Sequence, residues 1–308
     1  MEVGIRIGTR SSPLALVQAR AIGTELEAHG ATVTIVPMRT AGDRLADTLL
    51  ATVGGKGLFV RDIETALLRK EIDVAVHSLK DLPAETPAGL AIVAYPPRED
   101  PRDVLVTRSG GRLPSLPHGA VIGTSSPRRK AMVLSLRPDA VVEPIRGNVD
   151  TRLRKLDAGD FDAVILAAAG LRRLGLTLDH AEPLDTETFV PAVGQGILGV
   201  EARDDDTSTR AMLTALDHPP TRACAAAERA YLARLGASCV TPMAAHAFID
   251  GPTLRMIGLV ASEDGRRVLR RRANGPLVDA VRLGTALADA LLADGAASLT
   301  ALRPVGRT

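Results

Sequence analysis

The sequence predicts a mixed α/β protein: two similar α/β domains around a cleft, followed by a small C-terminal α+β domain. Three observations predict it. First, a three-part pattern occurs twice in the same order. Ile7–Pro13, Pro37-Met38-Arg39 with Asp43, and Ile72–Val76 are echoed by Val121–Pro127, Pro144-Ile145-Arg146 with Asp150, and Phe161–Ile165. Ordered self-similarity of this kind marks repeated domains. Second, the stretches Pro96–Pro101 and Phe189–Gly196 are rich in Pro or Gly and cannot continue a regular element, so both read as crossings between domains. Third, Asp250-Gly251 and Asp264-Gly265 separate three strand-like runs, the pattern of successive hairpins.

Two crossings make the first domain discontinuous: 1–96 with 197–215, then 101–191, then 219–308. This is the connectivity of type II periplasmic binding proteins, a likeness of fold alone. Two such domains facing one another form a cleft, the usual place for a small ligand.

Val3–Ile7 reads as a strand, and Ser12-Pro13 after it combines a helix cap with a first-turn proline, predicting a helix through Gln18 and Leu26. Val33–Pro37 is a second strand. Gly54-Gly55-Lys56-Gly57 lacks the Gly-Lys-Ser/Thr of a phosphate loop and reads as a flap before a helix containing Phe59, Ile63 and Leu67. Ile72–Val76 is a short apolar strand that stops at His77-Ser78, with the polar turn Lys80-Asp81 closed by Pro83. After the second crossing, Pro219-Pro220 open a helix through Leu235 that ends at Gly236. Strands at 244–249, 253–260 and 268–273 and a helix over 277–292 complete the last domain.

Composition excludes several classes. At 308 residues and 45% apolar the chain can bury several cores, and a net charge of +2 gives no general affinity for nucleic acid or membranes. Two cysteines without Cys-x-x-Cys or Cys/His spacing argue against a disulfide scaffold or structural zinc, so no metal is expected. The first residues show no apolar signal core, and apolar runs such as 163–171 are too short to span a bilayer. The expectation is a cytoplasmic monomer.

The candidate chemistry lies after the strands. In an α/β sheet, ligands bind beyond the carboxyl ends of strands, where Asp81 falls; an ionised Asp there can face developing positive charge, or can simply be solvated. There are 33 Arg against 5 Lys, and Arg10, Arg128-Arg129, Arg146, Arg152 and Arg172-Arg173 follow predicted strands or open helices. They suit a ligand with several carboxylates or phosphates, unless acids such as Asp150 and Asp157 pair with them. Cys239 sits in a loop and is a candidate nucleophile, although a lone Cys is more commonly an inert small hydrophobe. Cys224, on an Ala-rich helix, reads as inert, and His77 reads as a structural hydrogen-bonder.

The motifs IGTRSSPLAL (7–16), GGKGLF (54–59), HSLKDLP (77–83), REDPRDVLV (98–106), IGTSSPRR (122–129), IRGNVDTRL (145–153), AAAGLRRLG (167–175) and PAVGQG (191–196) resemble the porphobilinogen deaminase (hydroxymethylbilane synthase) family. The resemblance implies a transferase of tetrapyrrole (haem) biosynthesis. It would condense four porphobilinogen molecules head to tail into hydroxymethylbilane, releasing ammonia, on a dipyrromethane cofactor held by a thioether. The residue matching the cofactor cysteine is Cys239, and Asp81 matches the catalytic Asp. By the same likeness Lys80, Thr124, Ser126, Arg128, Arg129, Arg146, Arg152 and Gln195 would hold the cofactor, and Arg10, Ser12, Arg173 and Lys56 the incoming pyrrole. Two departures stand out: Ala237-Ser238 where the family commonly has Gly-Gly, and Pro127 where an apolar residue is common. The rival reading is a non-catalytic two-domain binding protein for a small polycarboxylate, which leaves Cys239 and the third domain without a role.

Overall fold

The computed structural model describes residues 3–39, 60–237, 241–300 and 302. The strands are β1 (Val3–Arg10), β2 (Ala31–Met38), β3 (Val74–Ser78), β4 (Leu90–Ala94), β5 (Asp103–Thr107), β6 (Val121–Gly123), β7 (Val141–Glu143), β8 (Ala163–Ala167), β9 (Ala181–Pro183), β10 (Leu198–Arg203), β11 (Met243–Asp250), β12 (Thr253–Ala261) and β13 (Val268–Pro276). The chain divides into two compact units, 1–99 with 197–222 and 100–196 with 223–308.

The first unit holds a five-stranded sheet in the order β2-β1-β3-β10-β4. β1, β2 and β3 are parallel, whereas β10 runs against both β3 and β4. Its helix Pro13–Ala28 starts where the sequence signals it: the Ser12 side chain accepts from the amide of Ala15, and Pro13 opens the first turn. Ile5, Ile7, Ile22, Leu26, Val74 and Val200 pack one face; Ile63, Leu67 and Ile72 pack against the other. The unit runs on to Arg222 because Arg222 donates to Asp217 and to the Val93 carbonyl, and the His218 amide donates to Tyr95.

The second unit repeats the plan. Its sheet order is β7-β6-β8-β5-β9, with β6, β7 and β8 parallel and β5 antiparallel to β8 and β9. In each sheet the reversed strand is the one entered from a crossing: β5 after the first and β10 after the second. This reciprocal exchange produces the type II periplasmic-binding-protein-like fold expected from the repeat. Pro127 sits at the start of the helix Pro127–Leu136, where its missing N–H costs nothing.

A three-stranded sheet, β11-β12-β13, follows in the same unit. The helices Pro219–Leu235 and Ala280–Ala293 cover one side through Tyr231, Leu235, Leu287 and Leu291. Ile257 and Leu259 on β12 instead join Ile122, Met132 and Phe189, so this sheet and the α/β part share one apolar cluster. The two helices approach closely at Gly284, where an added Cβ would meet the Ala227 carbonyl oxygen at 2.0 Å. That oxygen is backbone and cannot turn away. Gly284→Ala should therefore destabilise by about 1–3 kcal/mol, read as a lowered melting temperature, while Gly4→Ala, with nothing within 4 Å, serves as the neutral control.

Candidate functional site

β3 delivers the centre of the first unit's site. The buried strand stops at Ser78, and a single 3-10 turn, Leu79–Asp81, follows, tied down by the Leu79 amide donating to the Ile197 carbonyl at 2.9 Å. Asp81 is thereby held, half-buried, past the carboxyl end of a central strand. Arg10 ends the neighbouring β1, and Ser12 caps the helix that follows. Arg10, Ser12, Gln18, His77, Ser78 and Asp81 line one recess of about 60 Å³. Gln18 and Ser78 are hydrogen-bonded across it at 3.1 Å. His77 gives its Nε2 to Glu201 at 3.0 Å, both side chains being almost wholly buried. The sequence-based candidates Asp81, Arg10 and Ser12 thus share a wall; Gln18 and Glu201 were not foreseen. Lys80 lies half-buried in the same 3-10 turn.

In the second unit the candidates converge on a residue the motifs did not single out, Asp103, which is fully buried at the start of β5. Arg128 donates Nη1 to Asp103 Oδ2 at 2.7 Å and to the Val190 carbonyl at 2.8 Å. Arg129 donates Nε and Nη2 to Asp103 Oδ1 at 2.9 and 2.7 Å, and Nη1 to the Ile165 carbonyl. Gln195 adds a bond to the same Oδ1 at 3.1 Å. Burial alone would push the Asp103 carboxyl up, but the Arg128 and Arg129 guanidiniums and the hydrogen bonds of Arg128 and Gln195 outweigh it and hold Asp103 well below the usual carboxylate range. Arg129 is pulled down by burial, with Asp103 opposing, and Arg152 is pulled down by burial and by the charge of Arg129.

Thr124 and Ser126 act one step back. The Ser126 side chain accepts from the Arg129 amide, capping the helix that carries both arginines, and Thr124 accepts from the Ser126 amide. Arg152 donates Nε to the Gly147 carbonyl. Arg146 is exposed, and Arg173 donates to the Gly196 carbonyl. Lys56 and Cys239 lie outside the described residues. Just before Cys239, the left-handed backbone falls on Gly236, at φ +59°, and not on Ala237. Cys224 is buried on its helix.

At Asp103 positive charge is in local surplus: two buried guanidiniums meet one carboxylate, and the charge of Arg129 also acts on Arg152. Arg128 Nε is buried with no hydrogen-bond partner among the described residues. Such a charge balance suits a further anion, since an unpaired buried donor is costly. Among the described residues there is no cluster of three or more His, Cys, Asp or Glu that could hold a metal ion, and no helix long and apolar enough to cross a membrane.

Residues 5–211 match the family model described as porphobilinogen deaminase, dipyrromethane cofactor binding domain, and residues 222–293 match the porphobilinogen deaminase C-terminal domain. The chain belongs to the porphobilinogen deaminase family. It is 52% identical over 293 residues to the porphobilinogen deaminase of Trichlorobacter lovleyi, covering 94% of each chain. It is 50% identical over 299 residues to that of Geobacter metallireducens, covering 96% of this chain and 94% of the relative. Among solved structures, a YaeC-family lipoprotein from Enterococcus faecalis is similar at 17% identity and a TM-score of 0.42, over 70% of this chain and 90% of that one. Membership in the porphobilinogen deaminase family disfavours the non-catalytic binding protein. It also fits the charge surplus around Arg128 and Arg129, because dipyrromethane carries carboxylates.

Proposed function

We propose that the chain is a porphobilinogen deaminase whose chemistry runs in the Asp81 recess, joining four porphobilinogen molecules head to tail into hydroxymethylbilane with release of ammonia at each step. The observation that carries this site is the shared wall of Asp81, Arg10 and Ser12 in one recess of the first unit. Loss of ammonia from the aminomethyl group leaves a cation conjugated with the pyrrole ring. A fixed carboxylate beside it stabilises that charge, and does so more strongly where the recess excludes water. Arg10 offers a guanidinium to the pyrrole's acetate or propionate, and Ser12 a hydroxyl at a helix N-terminus. Arg173 and Lys56 are assigned to the same substrate by family likeness.

Dipyrromethane, when bound, supplies the pyrrole to which the first substrate is joined. Arg128, Arg129, Arg146, Arg152, Lys80, Thr124, Ser126 and Gln195 are proposed to hold it, and Cys239 to be its point of attachment. The support is the unpartnered Arg128 Nε and the two-to-one balance of guanidinium over carboxylate at Asp103. The reading includes action as a cytoplasmic monomer, which size-exclusion chromatography with light scattering would check for the oligomeric state.

The direct test is incubation of the purified protein with porphobilinogen, measuring one ammonia released per porphobilinogen consumed and hydroxymethylbilane as product. A second test separates cofactor holding from folding. Arg146 is exposed, so Arg146→Leu should leave the melting temperature of the apoprotein unchanged. A charge-assisted bond contributes about 1.5–3 kcal/mol, roughly ten- to hundredfold in occupancy, so Arg146→Leu should purify largely without the adduct. Arg129→Leu should do the same and also lower stability, because it leaves the buried Asp103 with one guanidinium fewer. Full loading of both variants, read by intact mass, would remove these arginines from the cofactor site.

A further inference from the structure

One buried group in the recess has no part in the chemistry above. His77 lines the recess with Asp81, and its Nε2 is committed to Glu201 on β10. The other ring nitrogen has no hydrogen-bond partner among the described residues, and 4% of the side chain remains accessible. Glu64, on the helix Arg61–Leu68, is also buried and lies within the field of both Glu201 and His77. Burial pushes the Glu64 carboxyl up and the charge of Glu201 pushes it further, with His77 and Arg61 opposing.

The charged groups on the elements around His77 come from three places. They are Glu201 and, two positions along the same face of β10, Arg203; Glu64 and Arg61 from the helix; and Asp81 and Arg10 in the recess. Arg203 is taken up by the Leu67 and Ile72 carbonyls and by Asp206. What is left beside the recess is an imidazole bonded to one buried carboxyl, Glu201, with a second buried carboxyl, Glu64, on which the charges of both act. For packing alone, apolar side chains of similar volume would serve at lower desolvation cost. Imidazole fixed by a carboxylate at one nitrogen, on a residue that lines a reaction site, is an arrangement suited to a general base.

We propose that His77, held through Nε2 by Glu201 and backed by Glu64, accepts the proton that the attacking pyrrole loses at each condensation. This rests on reading the recess as the porphobilinogen site. In each step the carbon–nitrogen bond of the aminomethyl group breaks, and its electron pair leaves on ammonia. The pyrrole ring supplies the pair for the new carbon–carbon bond. The carbon–hydrogen pair then returns to that ring, and its proton passes to the free nitrogen of His77. From there it joins the departing ammonia as ammonium, so nothing is oxidised or reduced. Asp81 remains an anion throughout, which separates charge stabilisation from proton removal.

The test uses the purified, cofactor-bearing protein. In His77→Gln, kcat for porphobilinogen should fall about a hundredfold, while KM, adduct mass and melting temperature stay near wild type. The solvent deuterium isotope effect on kcat should rise above the wild-type value, because proton removal becomes limiting. In His77→Ala, added imidazoles should restore rate in order of their basicity. A structural role would move neither the isotope effect nor the rescue. A wild-type rate in folded His77→Gln, or a loss that no imidazole relieves, overturns the assignment. Should the His77 variants fail to fold, isosteric Glu64→Gln carries the test: a reduced kcat with a raised isotope effect supports the relay, and unchanged kinetics overturns it. Wild-type protein that does not consume porphobilinogen would sink the underlying reading as well, whereas a wild-type rate in His77→Gln sinks this assignment alone.

Discussion

Asp81→Asn should fold, load its cofactor and turn over porphobilinogen at least about 10³-fold more slowly than wild type, the scale of removing a principal electrostatic stabiliser from an active site. The expectation follows from where the side chain is. Asp81 sits half-buried on a 3-10 turn whose backbone is tied by the Leu79 amide to the Ile197 carbonyl, and the carboxylate itself supports none of those bonds. Asn keeps the shape and the turn but not the charge, so the melting temperature should hardly move. What is lost is attraction between a fixed anion and a cation formed only during reaction, which lowers kcat more than it raises KM. Hydroxymethylbilane formation under saturating substrate, with intact mass and thermal unfolding on the same preparation, reads all three quantities. A folded, loaded Asp81→Asn enzyme with a near wild-type kcat would mean that the charge of Asp81 is not what the reaction uses.

The parts of this fold that were legible in the sequence are those set by local signals. Ser12-Pro13 and Ser126-Pro127 each announce a helix start, and both serine side chains do accept from the helix amides. The repeat was legible because both copies place the same turn chemistry after the same strand. The partners of the buried charges were not legible, because strand pairing supplies them from far along the chain. Arg128 and Arg129 meet Asp103, about 25 residues upstream, and not Asp150 or Asp157, which are exposed on the next helix. His77 meets Glu201 only because β10 returns antiparallel to β3, with Gly199 opposite His77 and Glu201 two residues along the same face. Leu198–Arg203 is buried at every position and still contains Glu and Arg, so period-two patterning could not mark it. A motif does carry Asp103, the REDPRDVLV stretch, but nothing in the local pattern distinguishes that Asp from Asp100, which pairs with Arg102 and Arg172.

Cys239→Ala should abolish both the covalent adduct and activity, and Cys224→Ala neither. The two thiols are chemically alike but differ in their sequence settings. Cys224 is buried on the Pro219–Leu235 helix, in the apolar cluster it shares with Tyr231 and Leu235, and is closed to a substrate of pyrrole size. Cys239 lies outside the described residues, three positions after Gly236, whose left-handed backbone ends that helix. A thiolate is the strongest nucleophile the chain has for an electron-poor methylene carbon, and the resulting thioether is stable to water. Protein purified from cells should therefore weigh more than its sequence by two linked pyrrole units, in wild type and in Cys224→Ala alike. In Cys239→Ala the mass should equal that of the sequence, with the melting temperature lowered by the loss of the bound anion, because a ligand that binds only the folded state stabilises it. Adding porphobilinogen to that variant should yield no hydroxymethylbilane, since Asp81 and the arginines remain but nothing tethers the growing chain. An unmodified wild-type protein with full activity would leave the recess chemistry standing and remove Cys239 from it.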